Sequence, residues 1–350
     1  MPLPRDTALM RIVLLALAPA LAACVIPDKF AAGDWVPLDD DDVTVGSEED
    51  IAPPPPPPGG GPPLDEIPPT LEATGLFAPT GVHEFSPQWH LYSDGATKRR
   101  WISLPPNAQI DTTKPDYWRF PVGTKLWKEF TRNGTLVETR YMVKYGAADR
   151  DWLFIAYRWS ADGSTALPVP NGATNVNGTA HDIPAQTTCL GCHGNVASRV
   201  LGFSQFQLDY PAAADLVDLG SAASLGWLST PIIHTPVPGT QQQRATLGYF
   251  HANCGHCHNS KSPLINRPMF RLESDHIATV SSTRTYQSTV NVAGTSFGGA
   301  TIVAKPGDPD HSIIVTRMRA TDPKKRMPAL GIETIDTAAV TMIRAWITSL

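Results

Sequence analysis

The chain has 350 residues, a formal net charge of −5 and a pI near 6. This charge balance excludes the basic footprint of a protein that binds nucleic acid. Charged residues make up only 17% of the chain, and its 34 prolines are many. The length is enough for a tether and two modest domains.

The first 23 residues have the pattern of an export signal. Arg5 and Arg11 flank the start of an apolar run, 12–23, that is too short to span a bilayer. The run ends at Leu21-Ala22-Ala23-Cys24, which resembles the lipobox of bacterial lipoproteins. That resemblance implies that Cys24 becomes the mature N-terminus and carries several acyl chains, enough for stable anchoring. The alternative is a signal that is not lipidated and a cysteine there by chance.

Residues 24–74 are predicted to form a disordered tether. They contain an acidic run, Asp39 to Asp42, and six consecutive prolines, Pro53 to Pro58. Such a segment has too little apolar surface to form a core. Its proline run favours an extended spacer that lifts the body of the protein off a membrane. A ligand for proline-binding modules is the alternative.

Residues 75–188 are predicted to form a β-rich, sandwich-like domain. Apolar and polar residues alternate over 137–145, which is typical of a half-buried strand, and 152–159 is an apolar, aromatic run typical of a buried strand. Asn133-Gly134 is a strong signal for a hairpin turn. For Lys98-Arg99-Arg100 two interpretations stay open, a solvated strand end or a contact to a haem propionate.

Six of the nine tryptophans fall in or beside this β-rich region. They favour a β core that uses large aromatic side chains. The alternative is an aromatic platform that binds a ligand such as a glycan. The six are Trp89, Trp101, Trp118, Trp127, Trp152 and Trp159.

Two C-x-x-C-H motifs organise the rest of the chain, at Cys189–His193 and Cys254–His258. This pattern is the attachment signature of c-type haem. On one helical turn, residues three and four apart share a face, so both thiols can meet the two vinyl groups of one porphyrin while the histidine meets the iron. A plain disulfide does not explain the repeated histidine. Zinc ribbons separate their cysteine pairs by about 15–20 residues, far fewer than here, and a thioredoxin-type motif needs a βαβ context.

The segment 189–243 holds the first motif and a connection with one short helix near 215–219. The segment 244–350 is predicted to be an all-α domain, so the fold class is α+β. A helix over 244–257 carries the second motif, a turn at 305–310 precedes a helix to about Arg319, and a last helix covers 335–350.

This C-terminal region resembles the class I cytochrome c domain. Phe250 lies four residues before the first cysteine of the motif, and the resemblance implies that it contacts an aromatic of the last helix, for which Trp346 is the candidate. The P-G-D-P-x-x-S turn from Pro306 and the M-P-x-L-G loop from Met327 are usual in bacterial members. Thr246 is a departure, because a glycine often allows the two helices to cross closely there.

More widely, residues from about 85 onward resemble a family of exported bacterial proteins with a β-rich front half and two C-x-x-C-H motifs. The matching stretches are Tyr92-Ser93-Asp94-Gly95-Ala96, Phe120-Pro121-Val122-Gly123-Thr124, Asp182-Ile183-Pro184-Ala185-Gln186 and His251-Ala252-Asn253-Cys254-Gly255-His256-Cys257-His258. Because that family is mostly uncharacterised, the resemblance implies haem and export more than any reaction.

The candidate cofactor is two covalent haems c. At the second motif, Cys254 and Cys257 would form the thioethers, His258 would be the proximal iron ligand and Met327 the distal ligand, a pair that raises the reduction potential. Met318, in a predicted helix, and Met269 are the competing methionines.

At the first motif, Cys189 and Cys192 would attach the haem and His193 would bind the iron. The distal ligand stays open. His181 is preferred only weakly, and a vacant position is the other favoured alternative. The remaining candidates are His234, His251, Met142, His83 and His90.

These residues favour a lipid-anchored dihaem electron carrier on the periplasmic side of an envelope membrane, with redox proteins as partners. Catalysis is left open and is the less favoured reading. The rivals are a peroxidase-like oxidoreductase with a five-coordinate first haem, and a glycan-binding β domain with a haem domain attached. Val25 after Cys24 weakly favours the outer membrane.

Overall fold

The computed structural model describes residues 67–264 and 266–350. One antiparallel sheet of six strands dominates it, in the order β1-β2-β3-β4-β5-β6, and a separate two-stranded hairpin lies near the C-terminus. The strands are β1 (His83–Glu84), β2 (Thr97–Ser103), β3 (Lys125–Arg132), β4 (Thr135–Lys144), β5 (Trp152–Trp159), β6 (Ala166–Pro168), β7 (Ala293–Phe297) and β8 (Ala300–Ile302). The helices are α1 (Leu190–His193), α2 (Gln205–Leu208), α3 (Leu219–Ser224), α4 (Gln241–Asn253), α5 (Arg284–Thr289), α6 (Ile313–Met318) and α7 (Thr337–Thr348).

The large sheet is a meander because each strand pairs with the strand that follows it in the chain. Asn133 and Gly134 both have positive φ, 50° and 80°, as the two-residue turn between β3 and β4 requires. Gly163, with φ 68°, lies in the turn between β5 and β6. The predicted hairpin at Asn133-Gly134 and the predicted strand over 152–159 are confirmed.

The two faces of this sheet are covered differently. The back face carries Trp127, Tyr141 and Tyr157, and it is covered by residues 67–76. Trp127 Nε1 donates to Thr74 Oγ1 at 2.8 Å, and Tyr157 OH donates to the Pro68 carbonyl at 2.8 Å. The last residues of the predicted tether, 67–74, therefore pack on the sheet, while the rest of the tether, the signal and Cys24 lie outside the described residues.

The opposite face, called the motif face here, carries Ile102, Leu126, Met142 and Phe154 in register on four neighbouring strands. These side chains form a core with Phe203 and other residues of the segment that follows the first motif. That segment is mostly irregular and contributes the short helices α2 and α3. The predicted short helix near 215–219 begins later, at Leu219, after the capping box of Asp218 and Ser221.

The C-terminal region has a second core around the crossing of α4 and α7. Phe250 and Trp346, both fully buried, meet edge to face with ring centroids 5.8 Å apart. Val315 and Met318 of α6 close this core. The contact between Phe250 and an aromatic of the last helix is thus present, and Met318 is a core residue rather than a free ligand.

The prediction of a β sandwich followed by an all-α cytochrome c domain is wrong. The β region is a single sheet whose back face is covered by a short chain segment instead of a second sheet. In the C-terminal region, β7 and β8 pair around Gly298 and Gly299, which have positive φ of 56° and 82°. The intervening sequence is rich in glycine and β-branched residues, which disfavour helix and suit a hairpin.

Direct hydrogen bonds join the sheet region to the C-terminal region. Asp94 Oδ1 accepts from the backbone N–H groups of Glu333 and Thr334 at 3.0 and 2.8 Å. Tyr92 N donates to Asn253 Oδ1 at 2.7 Å, directly before the second motif. The two cysteine motifs are therefore held in one packed body.

None of the helices in the described part of the chain is long and apolar enough to cross a bilayer.

Candidate functional site

The first C-x-x-C-H motif forms one helical turn on the motif face of the sheet. The His193 N–H donates to the Cys189 carbonyl at 3.0 Å, which is the i to i+4 bond of a helix. The His193 ring packs on Phe154 of β5, with ring centroids 4.7 Å apart. Its Nδ1 lies 2.6 Å from the Arg199 carbonyl oxygen. The ring is therefore oriented by the sheet on one side and by the chain after the motif on the other.

The second motif forms a similar turn directly after α4. The His258 N–H donates to the Cys254 carbonyl at 2.9 Å. His258 Nδ1 lies 2.9 Å from the Pro268 carbonyl oxygen, and the His258 ring contacts Phe270 at 5.3 Å. The predicted helix over 244–257 ends at Asn253, so the motif occupies the turn after the helix.

Both histidines are thus in the same hydrogen-bonding state. A carbonyl oxygen can only accept, so Nδ1 carries the proton and donates in each case, which leaves Nε2 as the unprotonated nitrogen. A hydrogen bond from the ring nitrogen that does not bind the metal fixes the tautomer of a metal-binding histidine. Burial lowers the pKa of His193 to about 4 and also lowers the pKa of His258. Both shifts favour the neutral imidazole that iron ligation requires.

The two motifs lie against each other, although 60 residues separate them in sequence. Cys257 Sγ is 3.8 Å from the Gly191 carbonyl oxygen and 3.9 Å from Asn195 Nδ2. Asn259 Nδ2 donates to the Asn195 carbonyl at 3.2 Å. Two haems attached to these turns would share one site.

The four motif cysteines are free thiols and half-buried. Burial raises the pKa of Cys189 to about 11 and the pKa values of Cys254 and Cys257 to about 12. A thioredoxin-type cysteine has the opposite property, a lowered pKa that supplies a thiolate nucleophile. The setting of these thiols does not favour that chemistry. Two thiols and one imidazole on each turn fit the donor set of a covalent haem.

The structure places Met327 in a loop next to the first motif. Its backbone N–H donates to the Arg317 carbonyl at 3.1 Å. Leu330, three residues later, reaches α1 so closely that a Cβ on Gly191 would lie 2.9 Å from Leu330 Cδ1. Met327 itself is half-buried. Its pairing with His258 across an iron stays a prediction.

Three of the candidates for the distal side of the first haem have other partners. His181 Nε2 bonds to the buried carboxylate of Glu138 at 2.8 Å. His251 is buried, and its Nδ1 accepts from the Leu272 N–H at 3.1 Å. His234 is exposed and pairs with Asp209 at 2.7 Å. His251 therefore serves packing, and one of the two ring nitrogens of His181 is occupied by its hydrogen bond to Glu138.

Most of the tryptophans of the β region are packed inside the protein. Trp118, Trp127, Trp152 and Trp159 are each less than 8% exposed. The prediction that they form the β core is confirmed, and these four rings present no open platform for a sugar.

One further group of metal-ligand type occurs among the described residues, formed by Glu273, Asp275 and His276. Its members already satisfy one another and their neighbours. Glu273 accepts from Ser260 at 2.7 Å and from Arg284 at 3.0 Å, and His276 Nδ1 lies 2.6 Å from Asp275. We assign no metal to this group.

Sequence reasoning gave Lys98-Arg99-Arg100 as one candidate for a propionate contact but did not find the neighbours of Arg100. Arg100, Lys128 and Arg140 lie side by side on the motif face, next to the first motif. Their juxtaposition depends on the pairing register, which a single strand does not reveal.

No protein-family model, curated protein or solved structure matches this chain. The site is therefore interpreted from its own geometry.

Proposed function

We propose that this protein is a dihaem c-type electron carrier of the bacterial cell envelope. The observation that carries the proposal is the identical state of His193 and His258. Each follows a C-x-x-C pair on one helical turn, and each donates from Nδ1 to a backbone carbonyl, which leaves Nε2 unprotonated and able to bind a metal. A structural disulfide or a buried pair of thiols would not explain why a histidine with this hydrogen bond follows both cysteine pairs.

The chain would hold each haem by two thioether bonds and one histidine. Cys189, Cys192 and His193 would serve the first haem, and the second motif would serve the other. When bound, the haem supplies a one-electron couple. Phe154 and Phe270 pack on the two histidine rings and limit their movement. Fixed ligands favour electron transfer, because little rearrangement then accompanies the change of charge.

The contact between the two turns supports electron exchange between the haems. Gly191 and Asn195 of the first turn lie beside Cys257 of the second. On the first turn, Leu190 is 48% exposed. The first motif thus borders solvent, where a periplasmic redox protein can approach. The export signal and the acylation of Cys24 belong to this proposal on the strength of the sequence.

A potentiometric titration of the protein matured in a bacterium that loads c-type haem tests the proposal. We expect two reversible one-electron components in the visible spectrum. His193→Ala should change the spectrum of one component and leave the other unchanged. His258→Ala should change the spectrum of the other component instead. Leu190→Ala, on the same turn but without a donor atom, is the matched control. A spectrum without any redox-active haem contradicts the proposal.

A second candidate function is peroxide reduction at a five-coordinate first haem. The observation in its favour is that His181 Nε2 is bonded to Glu138, which removes that nitrogen as a distal ligand. This candidate predicts a high-spin ferric component and turnover with hydrogen peroxide. Two low-spin components without turnover would exclude it and leave the electron carrier.

A further inference from the structure

Three basic side chains cross the motif face of the sheet in one line, which we call the basic row. Arg100 of β2 pairs with Lys128 of β3, and Lys128 pairs with Arg140 of β4. Residues directly opposite each other on neighbouring strands have Cβ atoms about 4.5–5.5 Å apart, and like charges in these positions are destabilising. A folded protein therefore needs negative charge close to this row.

Among the described residues, only one member of the row forms an ion pair with a carboxylate. Arg140 Nη2 forms an ion pair with Glu138 at 2.7 Å. Arg100 is only 5% exposed, and its Nη1 has no hydrogen-bond partner in the described part of the chain. Lys128 forms no ion pair with any described residue, and its Nζ lies 4.9 Å from the centre of the Phe130 ring. Two cations of the row are left without a carboxylate.

Further positive charge surrounds these two cations. Lys98, two residues before Arg100 on the same face, donates to the Leu91 carbonyl rather than to an acid. Burial, and next the charge of Arg100, lower the pKa of Lys98 to about 7. Burial lowers the pKa of Arg100 itself to about 10. A buried charge without a partner is costly, so this site is suited to an anion that the described residues do not provide.

The basic row lies beside the first motif. His193 packs on Phe154, and Ala156, the partner of Arg140, is two residues further along β5, which is roughly 7 Å. Lys128 and Arg100 continue the line of Arg140 across β3 and β2 on the same face. The unpaired cations therefore face the space next to the attachment turn.

We propose that Arg100 and Lys128 bind the two propionate carboxylates of the haem attached at the first motif. This inference rests on the proposed haem attachment. The charges match, because two propionates supply the two negative charges that the row lacks. A guanidinium and an ammonium are also the usual partners of carboxylates, and their hydrogen bonds to an anion are the strong ones.

Arg99 gives a matched control within the same strand. It lies between Lys98 and Arg100 in sequence, but its side chain projects from the back face and pairs with Glu84 at 2.9 Å. Arg99 is exposed, whereas Arg100 is buried. Each of the two interpretations of the run Lys98-Arg99-Arg100 therefore applies to a different residue. Arg99 is the solvated residue, and Arg100 is the residue placed for a propionate.

The test is the reduction potential of the matured protein and of the variants Arg100→Gln, Lys128→Gln and Arg99→Gln. A cation beside a haem stabilises the reduced form, which is more negative by one charge. We therefore expect Arg100→Gln and Lys128→Gln each to lower the potential of one haem. The expected loss is about tenfold in the one-electron equilibrium constant, or about 59 mV. Arg99→Gln should leave both potentials unchanged, and Lys128→Arg should restore the value lost in Lys128→Gln.

The covalent haem content of the unmodified protein, measured first, separates the two proposals. Absence of haem refutes the proposed function and this inference together. This inference alone is refuted if two haems are present but Arg100→Gln and Lys128→Gln change their potentials no more than Arg99→Gln does. If a variant does not fold, the resonance Raman propionate band of the unmodified protein tests the propionate contact instead. A frequency typical of strongly hydrogen-bonded carboxylates supports the contact, and that of free carboxylates overturns it.

Discussion

Among the described residues, Glu138 is the one carboxylate that forms an ion pair with the basic row, and its contribution to stability follows from its pKa. It is fully buried and contacts Arg140 at 2.7 Å and His181 at 2.8 Å. Burial by itself raises the pKa of this carboxyl. The charge of Arg140 and the hydrogen bonds from His181 and Arg140 outweigh burial and lower the pKa from 4.5 to about 2. Such a change corresponds to about 3 kcal/mol of stabilisation at neutral pH.

Glu138→Gln removes this charge and keeps the shape of the side chain. We expect the free energy of unfolding at pH 7 to fall by about 3 kcal/mol, near the lower end for breaking a buried ion pair. Because the pKa of Glu138 is lowered in the folded protein, its stabilisation is complete above pH 4.5 and is lost as the pH falls towards 2. The difference between the unmodified protein and the variant should therefore disappear over this range.

Urea denaturation followed by circular dichroism, at several pH values between 7 and 2, measures this difference. Glu84→Gln is the control, because Glu84 pairs with Arg99, whose side chain is 61% exposed. A surface pair of this kind contributes at most about 1 kcal/mol. Equal losses in Glu138→Gln and Glu84→Gln at pH 7 would refute the reasoning. A difference that persists unchanged at pH 2 would also refute it.

Two further predictions concern the methionine ligand and the packing of α4. Met327→Ala should convert one ferric haem from low to high spin and lower its potential, whereas Met318→Leu, in the core, should leave the spectrum unchanged. Electron paramagnetic resonance measures the spin state of the ferric haems. A spectrum that is unaltered in Met327→Ala would exclude Met327 as a ligand. Gly248→Ala would place a Cβ 2.0 Å from the Trp89 ring and should cost about 1–3 kcal/mol in urea denaturation. Gly220→Ala, with its nearest atom at 3.5 Å, should be neutral or slightly stabilising, and equal effects of the two would contradict this packing.

Local patterns in the sequence predicted the strands of the large sheet well. The alternation over 137–145 and the aromatic run over 152–159 coincide with β4 and β5. The burial of β5 on both faces is as its apolar run predicted, whereas β4 also buries Glu138 and Lys144 on the face that was predicted to be exposed. Asn133-Gly134 predicted its turn because few residues tolerate the positive φ required there.

The pattern of the C-terminal region predicted its longest helices but not its class. The contact of Phe250 with Trp346 is present, yet β7 and β8 form in a region that was predicted to be all-α. The order of motifs along a chain does not specify the segments between them. Here Gly298-Gly299 was the local signal for a turn, and it was missed.

The arrangement of the candidate site depends on contacts between distant residues. Asn195 and Asn259 bring the two motifs together across more than 60 residues of chain, and the basic row depends on the register of three strands. Neither the contact between the motifs nor the alignment of the basic row can be predicted from a local pattern of residues. The individual ligands could therefore be predicted from the sequence, whereas their common environment could not.

The number of covalent haems per chain tests the central proposal most directly. The protein, without its signal and with Cys24 replaced, would be exported in a bacterium that matures c-type cytochromes. Its pyridine haemochrome spectrum and intact mass would then be measured per mole of chain. Two haems are the predicted result. A single haem would contradict the role of one motif, and none, in a host that loads a control cytochrome, would contradict the whole account.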